Sequence, residues 1–176
     1  MIDRRTLLEA LVALLLAPAA LARAQAPTPR APLDPELERA LAESPYVYLS
    51  PLRSNGAESR CHGEVWFGWL DGSVVLITAT KTWKARSLRR GLTRARLWVG
   101  DYGRVKQMVG SNEAFRGGPS FLARAERVSD RTVIDRLLAS YEKKYPAEIG
   151  NWRGPMRAGH QDGSRVLIRY VPEART

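Results

Sequence analysis

Apolar and polar residues alternate in six short segments of this chain, and each segment predicts a β-strand. In the last segment Val166, Ile168 and Tyr170 occupy every second position and would share one face of a strand. The flanking polar positions would then face the other way. The six predicted strands are 46–53, 58–70, 73–80, 94–99, 120–128 and 163–172.

Two dipeptides between these segments predict tight turns. Asn55-Gly56 separates the first two predicted strands, and Asp71-Gly72 separates the second from the third. Both pairs favour a turn in which the backbone takes positive φ. The first three strands are therefore predicted to be joined by hairpins.

Three short helices are predicted between or before the strands. Asp34-Pro35 is typical of a helix start, and Pro45 would end that helix. A second helix is predicted over 81–90, ended by Gly91. A third begins at Ser129-Asp130 and stops before Pro146, while 104–118 is predicted to be a loop or short helix. The pattern indicates a mainly β (α+β) fold, a small antiparallel barrel of about six strands with short peripheral helices.

The N-terminus has the pattern of an export signal. Arg4-Arg5 precedes an apolar run over 7–21, and Ala22-Arg23-Ala24 is a small-x-small pattern that a signal peptidase accepts. The predicted organisation is a signal peptide over 1–24, a Pro- and Ala-rich linker over 25–33 and a domain over 34–176. The apolar run is too short for a comfortable membrane span, so no stable span is expected after cleavage. A retained anchor or an amphipathic helix is the alternative.

The formal charge of +10, from 28 basic and 18 acidic residues, favours anionic partners. Because export is predicted, nucleic acid is not the expected partner, and the basic surface could instead contain one phosphate site. The chain has one cysteine and two histidines, Cys61, His62 and His160. An internal disulfide is therefore excluded, and no metal site is predicted.

The second predicted strand separates two kinds of side chain. Val65, Phe67 and Trp69 would share the core face. The opposite face would be polar and aromatic, and is either an ordinary solvated face or a platform for a planar ligand. It carries Arg60, His62, Glu64 and Trp66.

Two stretches resemble the pyridoxamine 5'-phosphate oxidase-like FMN-binding split-barrel family. The first, over 63–78, has Val65-Trp66-Phe67, an Asp-Gly turn and an aliphatic strand ending in Thr78. The second, over 78–88, has a strand-end Thr, then Thr82 and Lys84 at the start of a helix. The segments 95–100 and 121–128 are similar to later strands of the family, and the resemblance covers about 40–172. It implies a split barrel.

The resemblance implies a flavin site. Thr78, Thr82 and Lys84 match the positions that bind the flavin phosphate, and a phosphate favours hydroxyl donors and a cation. Lys81 and Arg86 could assist. Three further residues are predicted to lie near the ring: Arg60, His62 and Trp66.

The chain departs from the pyridoxamine-oxidising members. Trp83 replaces a basic residue of those enzymes, and their C-terminal arginine–histidine pattern is missing. Oxidation of vitamin B6 is therefore not implied.

The resemblance implies a flavin-dependent oxidoreductase that acts on a small redox substrate as a homodimer, and the N-terminal pattern predicts its export to the periplasm. The arginine pair resembles the twin-arginine export signal, and the general secretory route is the alternative. Two other functions stay open. One is a non-catalytic module binding haem or a deazaflavin. The other is an envelope protein that uses a basic surface, which contains Arg86, Arg89, Arg90, Arg94 and Arg96.

Overall fold

The computed structural model describes residues 33–103 and 113–174 of the 176-residue chain. Within these ranges the chain forms one seven-stranded antiparallel sheet, four α-helices and a short 3₁₀ helix. The strands are β1 (Val47–Pro51), β2 (Gly63–Val65), β3 (Gly68–Leu70), β4 (Ser73–Ala79), β5 (Arg94–Val99), β6 (Ser120–Val128) and β7 (Arg165–Pro172). The helices are α1 (Pro35–Glu43), α2 (Trp83–Arg89), α3 (Thr132–Lys144), α4 (Ile149–Gln161) and the 3₁₀ helix (Ala114–Gly117).

The two edges of the sheet are neighbours in sequence. The strand order is β2-β1-β5-β6-β7-β4-β3, so β2 and β3 form opposite edges. Only Trp66 and Phe67 separate Val65 at the end of β2 from Gly68 at the start of β3. Three consecutive Cα steps span at most about 11 Å. The sheet therefore has to curl until its edges approach each other, which gives the predicted split-barrel form.

The prediction of one continuous strand over 58–70 is wrong. Its first part, β2, pairs with β1 through Val47 and Val65. Its second part, β3, pairs with β4 through Gly68 and Val75. The alternation of side chains continues across the break. The sequence pattern therefore indicates one strand, although the chain changes its pairing from β1 to β4 at this point.

Two tyrosines supply hydrogen bonds at this break. The Tyr141 hydroxyl of α3 donates to the carbonyl of Trp66 at 2.9 Å. The Tyr145 hydroxyl, just beyond α3, accepts from the amide of Phe67 at 3.0 Å and donates to the carbonyl of Pro45 at 2.5 Å. A buried backbone group without a partner costs about as much as a lost hydrogen bond. The tyrosines thus replace ladder bonds that the break removes.

The sheet has an apolar cluster on each face. Phe67 is fully buried in the first cluster, with α1 and α2. Trp66 packs on the second cluster, which α3 and α4 cover. Val65 and Trp69 pack against the same cluster as Phe67, which confirms the predicted core face of this segment.

The two predicted turns, the start of α1 and the end of α2 are confirmed, whereas α3 begins at Thr132, after the predicted Ser129-Asp130. Asp71 and Gly72 have φ of +49° and +58°, the left-handed conformations of a two-residue hairpin turn. Gly56 has φ of +80° in the first turn, and Gly91 has φ of +79° after α2. The Asp34 carboxylate accepts a hydrogen bond from the amide of Glu36 at 2.9 Å, which caps α1.

Helix α4 was not predicted. Gly150, Gly154 and Pro155 lie inside it, and these residues disfavour a helix in isolation. The buried side chains of Ile149 and Met156 hold it against the second cluster. Tertiary packing thus overrides local propensity in this segment.

The predicted signal peptide and most of the linker, residues 1–32, lie outside the described residues, as does 104–112 of the predicted loop. Within the two ranges that the structure covers, no helix combines the length and the apolar character needed to cross a membrane.

Replacing Tyr145 with phenylalanine should destabilise the protein by about 1–3 kcal/mol, because the buried Phe67 amide loses its partner. Urea unfolding measures the change. Tyr170→Phe is the matched control, since Tyr170 is also buried and its hydroxyl has no hydrogen bond among the described residues. Equal losses in the two variants would contradict the role given to the Tyr145 hydroxyl.

We predict that Lys144 makes the stability of the protein depend on pH. Its ammonium lies 3.6 Å from the centroid of the Phe67 ring and donates to the Leu41 carbonyl at 3.3 Å, and burial lowers its pKa from 10.5 to about 8. Between about pH 8 and pH 10.5, the Lys144 side chain binds more protons in the unfolded state than in the folded state. The Lys144 contribution to the free energy of unfolding should therefore rise with pH from about 8 to 10.

Urea unfolding across this pH window tests the sign. Lys144→Gln should flatten the rise, while Lys143→Gln, at an exposed neighbouring position, should keep it. A wild-type slope in Lys144→Gln would show that another group causes the rise.

Candidate functional site

The end of β4 and the start of α2 are joined by a hydroxyl network. Thr78 lies in β4 and is 6% exposed, and Thr82 directly precedes α2. The Thr82 hydroxyl donates to the Ala79 carbonyl at 2.9 Å and lies 3.0 Å from the Thr78 hydroxyl. Because Thr82 gives its proton to Ala79, Thr78 is the donor between the two. Both hydroxyl protons are therefore used to fix this turn.

Thr78 and Lys84 line an open pocket of about 280 Å³. It lies where β2, β4 and β7 meet α2, α3 and α4. The described lining residues include three aromatic side chains and two cations but no carboxylate. They are Val65, Trp66, Ile77, Thr78, Lys84, Tyr141, Trp152, Met156 and Arg165.

The two cations of the pocket form no ion pair with the described residues. Burial lowers the pKa of Lys84, whose ammonium lies 4.6 Å from the centroid of the Trp83 ring. Over 33–103 and 113–174, no carboxylate forms a salt bridge with Lys84 or Arg165. A bound anion would offset the desolvation of the Lys84 ammonium.

The aromatic wall is held by packing. Trp66 stacks on Tyr145 with ring centroids 4.3 Å apart and an interplanar angle of 10°. Tyr141 contacts Trp66 edge-on at 5.9 Å. Trp152 of α4, in contrast, is 47% exposed. The pocket thus combines a fixed indole with one that is open to solvent.

The structure brings together three of the seven residues predicted from the sequence. Trp66, Thr78 and Lys84 line the pocket, and Thr82 lies one hydrogen bond behind Thr78. Lys81 is exposed and does not line the pocket.

The two remaining predicted residues also lie outside the pocket. Arg60 is exposed. His62 is largely covered, and its Nε2 lies 2.9 Å from the carboxylate of Glu113. The His62 ring contacts Phe115 at a centroid distance of 5.5 Å. Trp66 contacts Tyr141 and Tyr145 instead, so His62 and Trp66 have different aromatic neighbours, and the platform for a planar ligand stays a prediction.

The predicted basic surface is partly neutralised. Arg94 pairs with Glu173 at 2.6 Å, and Arg96 pairs with Glu58 at 2.9 Å. Arg89 donates to a backbone carbonyl at 2.7 Å. The positive charge of this surface is therefore less continuous than the sequence suggests.

Sequence reasoning missed the part of the pocket that α3, α4 and β7 supply. Arg165 enters because β7 pairs with β4, with Ala79 opposite Arg165. The sequence pattern did not give that pairing, because period-two alternation does not say which strand lies alongside. Tyr141, Trp152 and Met156 depend on helix packing, and no local motif marks them.

No group of three or more His, Cys, Asp or Glu side chains in the described part of the chain is placed to hold a metal ion.

Comparisons with known proteins identify the fold. No family model and no curated protein sequence matches this chain. A conserved hypothetical protein from Mycobacterium tuberculosis superposes with a TM-score of 0.54 and 22% identity, over 83% of this chain and 86% of that one. HutZ, a haem storage protein from Vibrio cholerae, gives 0.52 and 15% identity, over 81% and 92%. A candidate pyridoxamine 5'-phosphate oxidase from Listeria innocua gives 0.50 and 15% identity, over 78% and 91%. At these identities the likeness establishes the split-barrel fold alone.

Proposed function

We propose that this chain is an exported flavoprotein that binds FMN in the pocket lined by Trp66, Thr78 and Lys84, and acts as an oxidoreductase on a small molecule. The observation that carries the proposal is the composition of the pocket. Aromatic and apolar walls adjoin two cations without carboxylate partners in the described ranges. FMN combines a flat ring with a dianionic phosphate, so it matches both parts.

The donor set fits this cofactor. Lys84 and Arg165 would hold the phosphate through charge-assisted hydrogen bonds. Trp152 and the side of Trp66 that is not stacked on Tyr145 would contact a planar ring. The bound flavin supplies the electron-transfer chemistry, while the protein supplies binding and electrostatics. The chain's own residues position the ring, hold its anionic tail and exclude water from one side. No side-chain acid or base is required.

The named neighbours differ in function, so the fold does not choose the ligand. One is named for pyridoxamine phosphate oxidation and one for haem storage. The pocket contains neither histidine: His62 pairs with Glu113, and His160 lines a different pocket. The donor set therefore favours a flavin over haem. A deazaflavin has a similar flat ring and phosphate, so it belongs in the same titration.

A pair of flavins tests the role of Lys84. FMN and riboflavin differ by the phosphate, so Lys84→Gln should weaken FMN binding by about tenfold or more and leave riboflavin binding nearly unchanged. Quenching of flavin fluorescence measures both affinities. Trp152→Ala should weaken both flavins alike, because this exposed indole would contact the ring.

Lys81→Gln is the matched control, since it removes the same charge from a position outside the pocket. It should bind FMN like the wild type. Failure of the wild-type protein to bind FMN, or equal affinities of Lys84→Gln and Lys81→Gln, would overturn the proposal.

We also propose that the flavin-loaded protein is a periplasmic homodimer. The openness of the pocket supports this, because a second subunit could cover the exposed side of the ring. The Arg4-Arg5 pair and the apolar run over 7–21 support export. Light scattering of the loaded protein checks the mass, and the N-terminal sequence of protein recovered from the periplasm should begin at Gln25. A monomer, or an uncleaved cytoplasmic chain, would contradict these two points.

A further inference from the structure

A second and larger pocket of about 460 Å³ lies on another side of α4. It is formed by the end of β6, the segment leading into α3, the first turn of α3, and the last turns of α4. Three arginines and a histidine line it, with a single carboxylate. The lining residues are Arg127, Val128, Ser129, Arg131, Ile134, Asp135, Arg157, His160 and Gln161.

Two of the three arginines have no acidic partner within 33–103 and 113–174. Arg157 pairs with Asp135 at 2.7 Å. Among the residues that the structure describes, Arg127 and Arg131 form neither a salt bridge nor a side-chain hydrogen bond, and both are exposed. Both line the same pocket, so an anion bound there would be attracted to two guanidinium groups that have no acidic partner in the ranges described.

A neighbouring apolar pocket indicates that an anion bound here could also carry an apolar portion. Arg127 also borders a cavity of about 210 Å³ whose other walls include Ala85, Leu88 and Val166. Its walls are mostly apolar. Arg127 thus lies between a basic pocket and an apolar one. This arrangement suits a molecule with an anionic group and an apolar portion.

We propose that the basic pocket binds the phosphate group of an organic phosphate, through Arg127 and Arg131 with support from His160 and Arg157. A guanidinium matches phosphate geometry with two parallel N–H donors. The apolar cavity beyond Arg127 would hold part of the organic portion. Such a group could belong to a free metabolite or to a lipid headgroup.

This site is distinct from the proposed flavin pocket. The two pockets share no lining residue. Helices α3 and α4 contribute to both, but through different residues: Tyr141, Trp152 and Met156 line the flavin pocket, and the basic pocket has Ile134, Asp135, Arg157, His160 and Gln161. The proposal goes beyond the flavin function and does not depend on it.

Titration with inorganic pyrophosphate, followed by calorimetry at low salt, tests the site on the full chain. Arg127→Gln/Arg131→Gln should weaken binding by about tenfold or more. The matched control is Arg39→Gln/Arg53→Gln, which removes the same charge from two exposed arginines outside the pocket and should bind like the wild type. Asp135→Asn should tighten binding several-fold, because Arg157 would lose its internal partner.

An experiment with lipid vesicles distinguishes a lipid headgroup from a free metabolite as the source of the phosphate. Sedimentation with phosphatidylcholine vesicles that contain phosphatidic acid, lost in Arg127→Gln/Arg131→Gln but not in the control, would assign a lipid headgroup. Pyrophosphate binding without vesicle binding would assign a free phosphate. Equal affinity of the two double variants, absence of binding to either probe, or loss of pyrophosphate binding only in Lys84→Gln would each overturn the proposal.

Discussion

The closure of the sheet is the constraint on which the rest of this structure depends. Its two edge strands are consecutive pieces of one segment, joined through Trp66 and Phe67. An open sheet would leave those edges far apart, so covalent connection forces curvature. The break exposes backbone groups that a ladder would normally satisfy, and hydroxyls of Tyr141 and Tyr145 take over that task. A helix that follows β6 in sequence thus stabilises a seam formed much earlier in the chain.

The same seam determines where the candidate site lies. At the break, Phe67 turns into one core and Trp66 turns toward α3, where Tyr145 stacks on its indole. The end of β4 lies beside the seam and positions Thr78, and α2 follows with Lys84. Aromatic and cationic side chains are therefore neighbours because the barrel closes at this point. The Thr78–Thr82 hydrogen bond fixes the turn between them, a structural role that a phosphate-site interpretation of the sequence does not reveal.

Sequence patterns predicted what depends on local chemistry. Asp71-Gly72 specifies its turn because both residues adopt positive φ, and Asp34 specifies a helix start by capping an amide. The predictions that failed concern features that depend on residues distant in sequence. Period-two alternation carries no information on which strand lies alongside, so the change of partner after Val65 was invisible. The glycines and proline of α4 oppose a helix locally, yet burial of Ile149 and Met156 maintains it. Arg165 and Trp152 were missed for the same reason.

The net charge of a basic protein says little until its cations are sorted by partner. Arg94 and Arg96, which the sequence places in one basic stripe, are bound to carboxylates. Lys84, Arg165, Arg127 and Arg131 have no such partner in the ranges described, and each lines a pocket. Keeping an ammonium partly buried without a counter-ion costs free energy that an exposed position would avoid, as the lowered pKa of Lys84 shows. An anion bound beside the Lys84 ammonium would offset this cost, whereas Arg127 and Arg131 are exposed and do not carry it.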